Sequence, residues 1–183
     1  MGRARSRVDR IIEECGLRMP RVAHVGRGWP WATKVGRRVK VTGSGSISVA
    51  PRVRINEDVW IHVEPGGTLL IGPGVAIGRN TVISCAGRIE IGNDVLIGPS
   101  VLIMDGSHGA PNVETAYIRQ KVRVRGPISI GGGSWLGMGS RVVSSSQPVV
   151  VGDHVLVGAN AVVSRSVPSG SVVRPAPSET TVR

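Results

Sequence analysis

Residues 91–109 read IGNDVLIGPSVLIMDGSHG, with Ile91, Ile97 and Ile103 six residues apart. The first two are followed by Gly92 and Gly98, and the regularity stops at Asp105, Gly106, Ser107 and His108. A period of six is neither the 3.6 of a helix nor the unbroken alternation of a long strand. It fits a short strand followed by a corner, with the aliphatic residue and the residue four positions later pointing inward.

The same pattern extends in both directions. Triplets at six-residue spacing run Val49, Ile55, Ile61; Ile71, Ile77, Ile83; Ile91, Ile97, Ile103; Ile130, Leu136, Val142; and Val151, Val157, Val163, with Val35 and Val41 as a partial first triplet. The column four residues later holds small or β-branched residues, among them Val53, Val59, Val75, Thr81, Val95, Val101, Ser134, Ser140, Val155 and Ala161. Three residues after the aliphatic come Asn80, Asp94, His154 and Asn160, which suit the left-handed backbone of a corner. Three strands and three corners close one coil, and stacked coils lay their aliphatics into ladders that fill a narrow prism. The sequence therefore predicts an all-β fold, a parallel β-helix of hexapeptide repeats.

Composition agrees. Of 183 residues only 3% are aromatic, with no Phe, so the core must be built from Val, Ile, Leu and Ala. The 26 Gly and 12 Pro imply many tight turns and few long helices. A net charge of +11 favours anionic partners. With so few aromatics and no helix-turn-helix or finger spacing, a nucleic-acid partner is not expected. Cys15 and Cys85 are too few for a disulfide framework or a zinc knuckle. No apolar run is long enough to span a bilayer, so no membrane partner is expected and a cytoplasmic location is the default.

The expected organisation is a lead-in over 1–34, with a short helix around Arg7 to Cys15 and a turn at Trp29-Pro30-Trp31. The coils occupy 35–167, interrupted by a loop over 104–127, and a polar tail covers 168–183. The extra residues between triplets all leave from one edge of the prism, the edge on which solenoids commonly place function. His108 lies five residues after Ile103, where the chain departs into the long loop. A side chain held by a rigid strand on one side and a loop on the other combines preorganisation with access.

The run IGNDVLIGPSVLIMDGSHG, followed by GPISIGGGSWLGMGSRVV and VVVGDHVLVGANAVVSRSVPSGSVV, resembles the hexapeptide-repeat acyltransferases, the group with the maltose, galactoside and xenobiotic acetyltransferases and many sugar O-acetyltransferases. The resemblance covers roughly residues 47–175. It implies left-handed coiling, a homotrimer with sites between subunits, acetyl-CoA as co-substrate and no metal. It implies that His108 is the general base on a hydroxyl of a carbohydrate or sugar-bearing small molecule. By the same resemblance Trp135 lines the acyl-CoA site, and Ala159, Ser164 and Arg165 touch the cofactor.

Asn80, in the coil before His108, is a candidate for acceptor binding or simply a corner residue. Asp105 either orients the histidine and meets the acceptor or caps a turn. His62 and His154 read as structural. An imidazole titrating near neutrality suits the chemistry, since it can take the hydroxyl proton and return it to the leaving thiolate. N-acetylation of an amino sugar and a non-catalytic scaffold are the alternatives. A zinc hydratase on the same fold would need a close pair of histidines, which His62, His108 and His154 do not provide.

Overall fold

The computed structural model describes residues 32–108 and 114–176, and the expected helix around Arg7 to Cys15 and the turn at Trp29–Trp31 lie outside them. Among the described residues the chain is nearly all β, with one short 3₁₀ turn at Tyr117–Arg119.

The hexads wind into three parallel sheets that form the faces of a left-handed β-helix. The first face carries Ser46–Val49, Thr68–Ile71, Arg88–Ile91, Ile128–Ile130 and Val149–Val151. The second runs from Lys34–Val35 through Arg54–Ile55, Ala76–Ile77, Leu96–Ile97, Trp135–Leu136 and Leu156–Val157 to Val172–Val173. The third carries Lys40–Gly43, Trp60–Val63, Val82–Cys85, Leu102–Met104, Arg141–Val143 and Val162–Val163.

Register follows the sequence columns residue for residue. Ile55 pairs with Ile77, Ile77 with Ile97, Ile97 with Leu136 and Leu136 with Val157. On the third face the ladder is Val41, Ile61, Ile83, Ile103, Val142 and Val163. These side chains, together with the apolar members of the second inward column, form one continuous core that among the described residues holds no aromatic ring. Burying each such side chain stabilises the fold by roughly 1.5–3 kcal/mol. Where the inward column is polar, its hydroxyls bond to the next coil: Thr81 Oγ1 donates to the Gly98 carbonyl at 3.0 Å and Ser134 Oγ to that of Gly152 at 2.9 Å.

The corners explain the remaining columns. Asn80, Asp94, His154 and Asn160 have φ of 57°, 53°, 55° and 59°. His154 is thus a corner residue, as its place in the repeat suggests. The glycine after each aliphatic sits where coils stack backbone on backbone. A Cβ on Gly78 would lie 2.5 Å from the Gly98 carbonyl carbon and the Pro99 nitrogen.

Two segments differ from the sequence expectation. The coils do not end at 167, because Val167 bridges Val151 and Val172–Val173 pairs with Leu156–Val157. Val167 and Val173 are another six-residue pair, with Gly170 in the corner place at φ 73°. The excursion expected as a loop over 104–127 is in part a ribbon, since Gly106–His108 pairs antiparallel with Val122–Val124.

Candidate functional site

The edge between the third and first faces carries the ribbon, and the geometry there is fixed by Asp105. Its side chain is fully buried and accepts backbone hydrogen bonds from Ala86 at 2.5 Å, Gly87 at 2.9 Å and Arg88 at 2.7 Å. Its own carbonyl accepts the Arg125 N–H at 2.8 Å. The carboxylate therefore fastens the start of the ribbon to the corner of the preceding coil. Of the two roles the sequence leaves open for Asp105, three amides inside the wall fit the turn-capping one. Beside it, burial and the Asp105 charge push the Cys85 thiol up to about 12, which leaves it a protonated core residue.

From this anchor Gly106–His108 runs outward, and His108 itself is exposed. Its Nδ1 lies 2.9 Å from the Gln120 carbonyl oxygen. A carbonyl only accepts, so Nδ1 carries the proton and Nε2 of the neutral ring keeps its lone pair. Arg125 secures the strand by donating from Nε to Ser107 Oγ at 2.8 Å and from Nη2 to the His108 carbonyl at 3.2 Å. The neutral ring is thus held with one defined unprotonated nitrogen. The orienting partner is a main-chain oxygen twelve residues away, which no residue pattern marks.

The other sequence-predicted residues lie on the same solenoid but do not all converge. Ser164 and Arg165 are exposed on the edge that carries His108, following Val162–Val163 as His108 follows Leu102–Met104. Asn80 and Ala159 occupy the corner between the second and third faces, both exposed. Trp135 is 48% exposed and points out from the second face. Asn80 is therefore one edge away from His108 within its own chain. A groove of about 620 Å³ runs along the first-to-second edge through Gly92, Gly131, Gly132 and Asp153, and none of the predicted site residues line it. Among the described residues there is no cluster of three or more potential metal ligands, and no helix long and apolar enough to cross a membrane.

No family model matches the chain. It is 29% identical over 127 residues to a Mycobacterium tuberculosis protein assigned as an acetyltransferase, covering 66% of this chain and 41% of that protein. It is 26% identical over 161 residues to an Escherichia coli protein assigned to O-acetyl transfer in lipopolysaccharide biosynthesis, covering 83% and 68%. To the galactoside O-acetyltransferase of Escherichia coli it is 29% identical over 135 residues, covering 67% and 60%. The chain thus spans about two fifths of the first relative and three fifths of the third.

Among solved structures, an N-acyltransferase from Bacillus cereus, in complex with dTDP and 3-hydroxybutyryl-CoA, superposes with a TM-score of 0.55. That match is at 18% identity and covers 80% of this chain and 83% of that one. It shows the fold. The molecule is a hexapeptide-repeat, left-handed β-helix protein. The curated relatives that it resembles in sequence are acetyltransferases, in agreement with the family resemblance of its motifs.

Proposed function

We propose that this protein transfers an acetyl group from acetyl-CoA to a hydroxyl of a carbohydrate or sugar-bearing small molecule, with His108 as general base. The observation that carries the reading is the Gln120 carbonyl on His108 Nδ1, which leaves Nε2 as the free basic atom at an exposed edge. In the reaction Nε2 takes the acceptor's proton as its oxygen attacks the thioester carbonyl. The new ester bond forms, the carbon–sulfur bond breaks, and the proton passes to the departing thiolate. General-base help of this kind is worth about 10²–10⁴ in rate. The sequence similarity to acetyltransferases, one of them acting on galactosides, supports the acyl donor and the class of acceptor.

Trp135, Ala159, Ser164 and Arg165 are proposed to hold the cofactor, with Arg165 placed to meet a CoA phosphate. Their spread over one face and two edges supports a homotrimer, in which an edge of one copy faces His108 of the next and brings Asn80 to the acceptor. The test is calorimetric titration with acetyl-CoA, followed by release of free CoA thiol across a panel of sugars and amino sugars. Micromolar binding with thiol release on neutral sugars supports O-acetylation, and release confined to amino sugars replaces it with N-acetylation. Absence of acetyl-CoA binding overturns the reading in favour of a scaffold.

A further inference from the structure

Both described tryptophans stand half out of the protein, Trp60 at 45% and Trp135 at 48%, above a core in which no described residue is aromatic. Trp135 has a part in the proposed acyl-CoA site, and Trp60 has none. It points outward from the third face, in the row that other coils fill with Lys40, Val82, Leu102, Arg141 and Val162. That row imposes no need for an indole.

The indole is locked by a chain of side-chain contacts. Trp60 Nε1–H donates to Thr42 Oγ1 at 2.8 Å, and the Thr42 oxygen lies 2.8 Å from His62 Nδ1. Glu64 Oε1 lies 3.3 Å from His62 Nε2 and a carboxylate only accepts, so the proton of the neutral imidazole sits on Nε2 and Nδ1 accepts the threonine hydrogen. The Trp60 and His62 rings lie 6.0 Å apart at 54°. A flat indole face with its N–H already satisfied is thus fixed beside a carboxylate that remains about one-third exposed.

The Glu64 end of the group lies close to the ribbon. Trp60–Val63 pairs with Val82–Cys85, and the next three residues, Ala86, Gly87 and Arg88, hold the Asp105 carboxylate. The ribbon packs back onto that corner, where a Cβ on Gly87 would meet Val124 Cγ1 at 2.5 Å and one on Gly106 would meet Ala86 Cβ at 2.5 Å. The corner under the ribbon is therefore one strand spacing, about 5 Å, from the Val63–Glu64 end of the neighbouring strand, while Trp60, paired with Val82, stands at the other end of it.

We infer that Thr42, Trp60, His62 and Glu64 form a carbohydrate-binding platform that receives a pyranose ring of the acceptor on the face whose Glu64 end adjoins the corner under the His108 ribbon; the assignment as acceptor subsite rests on the acyl-transfer reading. A pyranose has one face of weakly positive C–H groups and a rim of hydroxyls. The C–H face complements the negative face of the indole, and the rim complements the Glu64 carboxylate. The hydrogen-bonded chain holds the indole in place before any sugar arrives, which reduces the ordering cost of binding.

The test is saturation-transfer NMR with methyl β-galactoside and with maltose, in the absence of acetyl-CoA, on wild type, Trp60→Ala and Trp60→Phe. Sedimentation and acetyl-CoA titration are run in parallel. The platform predicts transfer to the sugar C–H protons in the wild type and about a tenfold weaker affinity in Trp60→Ala, the scale of one lost ring contact. Trp60→Phe, which keeps a ring, recovers most of the binding, and acetyl-CoA affinity is unchanged in both variants. No transfer in the wild type, or equal transfer in Trp60→Ala, overturns the platform. So does a Trp60→Ala protein that changes oligomeric state with sugar transfer intact, which makes Trp60 a contact between copies. The sugar signal is scored without acetyl-CoA, so loss of CoA binding would remove the acyl-transfer reading and leave the platform to stand or fall on its own data.

Discussion

Replacing Asp105 with alanine separates a wall-building carboxylate from a substrate contact. The side chain is fully buried and its oxygens accept the Ala86, Gly87 and Arg88 amides at 2.5, 2.9 and 2.7 Å. Hydrogen bonds to a charged group contribute about 1.5–3 kcal/mol each, and a buried amide left without a partner costs about 1–3 kcal/mol. The three amides share one turn, so their losses do not add in full, and a total of about 3–5 kcal/mol is expected. For a chain of this size that lowers the thermal midpoint by roughly 6–20 °C, read by circular dichroism at one fixed protein concentration. Asp105→Asn keeps the volume but turns an NH₂ toward an N–H donor, and should lose a large part of the same stability. Acceptor turnover should fall along with the fold, because the ribbon that carries His108 starts at this anchor. An Asp105→Ala protein with a midpoint within about 2 °C of wild type, and an acceptor KM raised about tenfold, would place the residue in the acceptor pocket and not in the wall.

Three further outcomes follow from the geometry. Trp135→Ala should weaken acetyl-CoA binding by about tenfold in calorimetry with little change in thermal midpoint, since the ring is half exposed and carries no core packing. Long-range ¹H–¹⁵N NMR of the neutral His108 ring should find the proton on Nδ1, and a proton on Nε2 would remove the free basic atom the reading needs. The Cys85 thiol, pushed up to about 12, stays protonated in the folded chain at pH values where the unfolded thiol ionises. The unfolded state then binds fewer protons, so stability falls as pH rises from about 9 toward 12. Urea titrations over that window should show a shallower fall in Cys85→Ala than in wild type.

How much was legible in the sequence differs between the prism and its edge. The ladders at Ile55, Ile77, Ile97, Leu136 and Val157 were readable because one register places every inward residue, and a slip would expose a whole column. The positive φ at Asn80, Asp94, His154 and Asn160 was readable because the corner admits few residue types. Val167 and Val173 escaped, since only four residues separate Val163 from Val167 where earlier junctions exceed six.

The ribbon escaped for another reason. Pairing of Gly106–His108 with Val122–Val124 depends on partners far apart in sequence and leaves Val122 and Val124 exposed, so no hydrophobic pattern announces it. In the sequence Asp105 stands out only for its closeness to His108, because its three donors belong to the previous coil and only the fold brings them there. The Gln120 carbonyl has no residue signature at all. The network on Trp60 joins two neighbouring strands and was invisible for the same reason, while His62 looked like one more member of a column filled by Ser84.

In the proposed reaction His108 acts as a base on an acceptor while the solenoid itself binds the acyl donor. The most direct measurement sets His108→Ala beside wild type, with acetyl-CoA affinity from calorimetry and turnover from thiol release on the best sugar of the panel. Unchanged acetyl-CoA affinity and a turnover lowered by about 10²–10⁴ are expected. Turnover in His108→Ala equal to that of wild type would contradict that role.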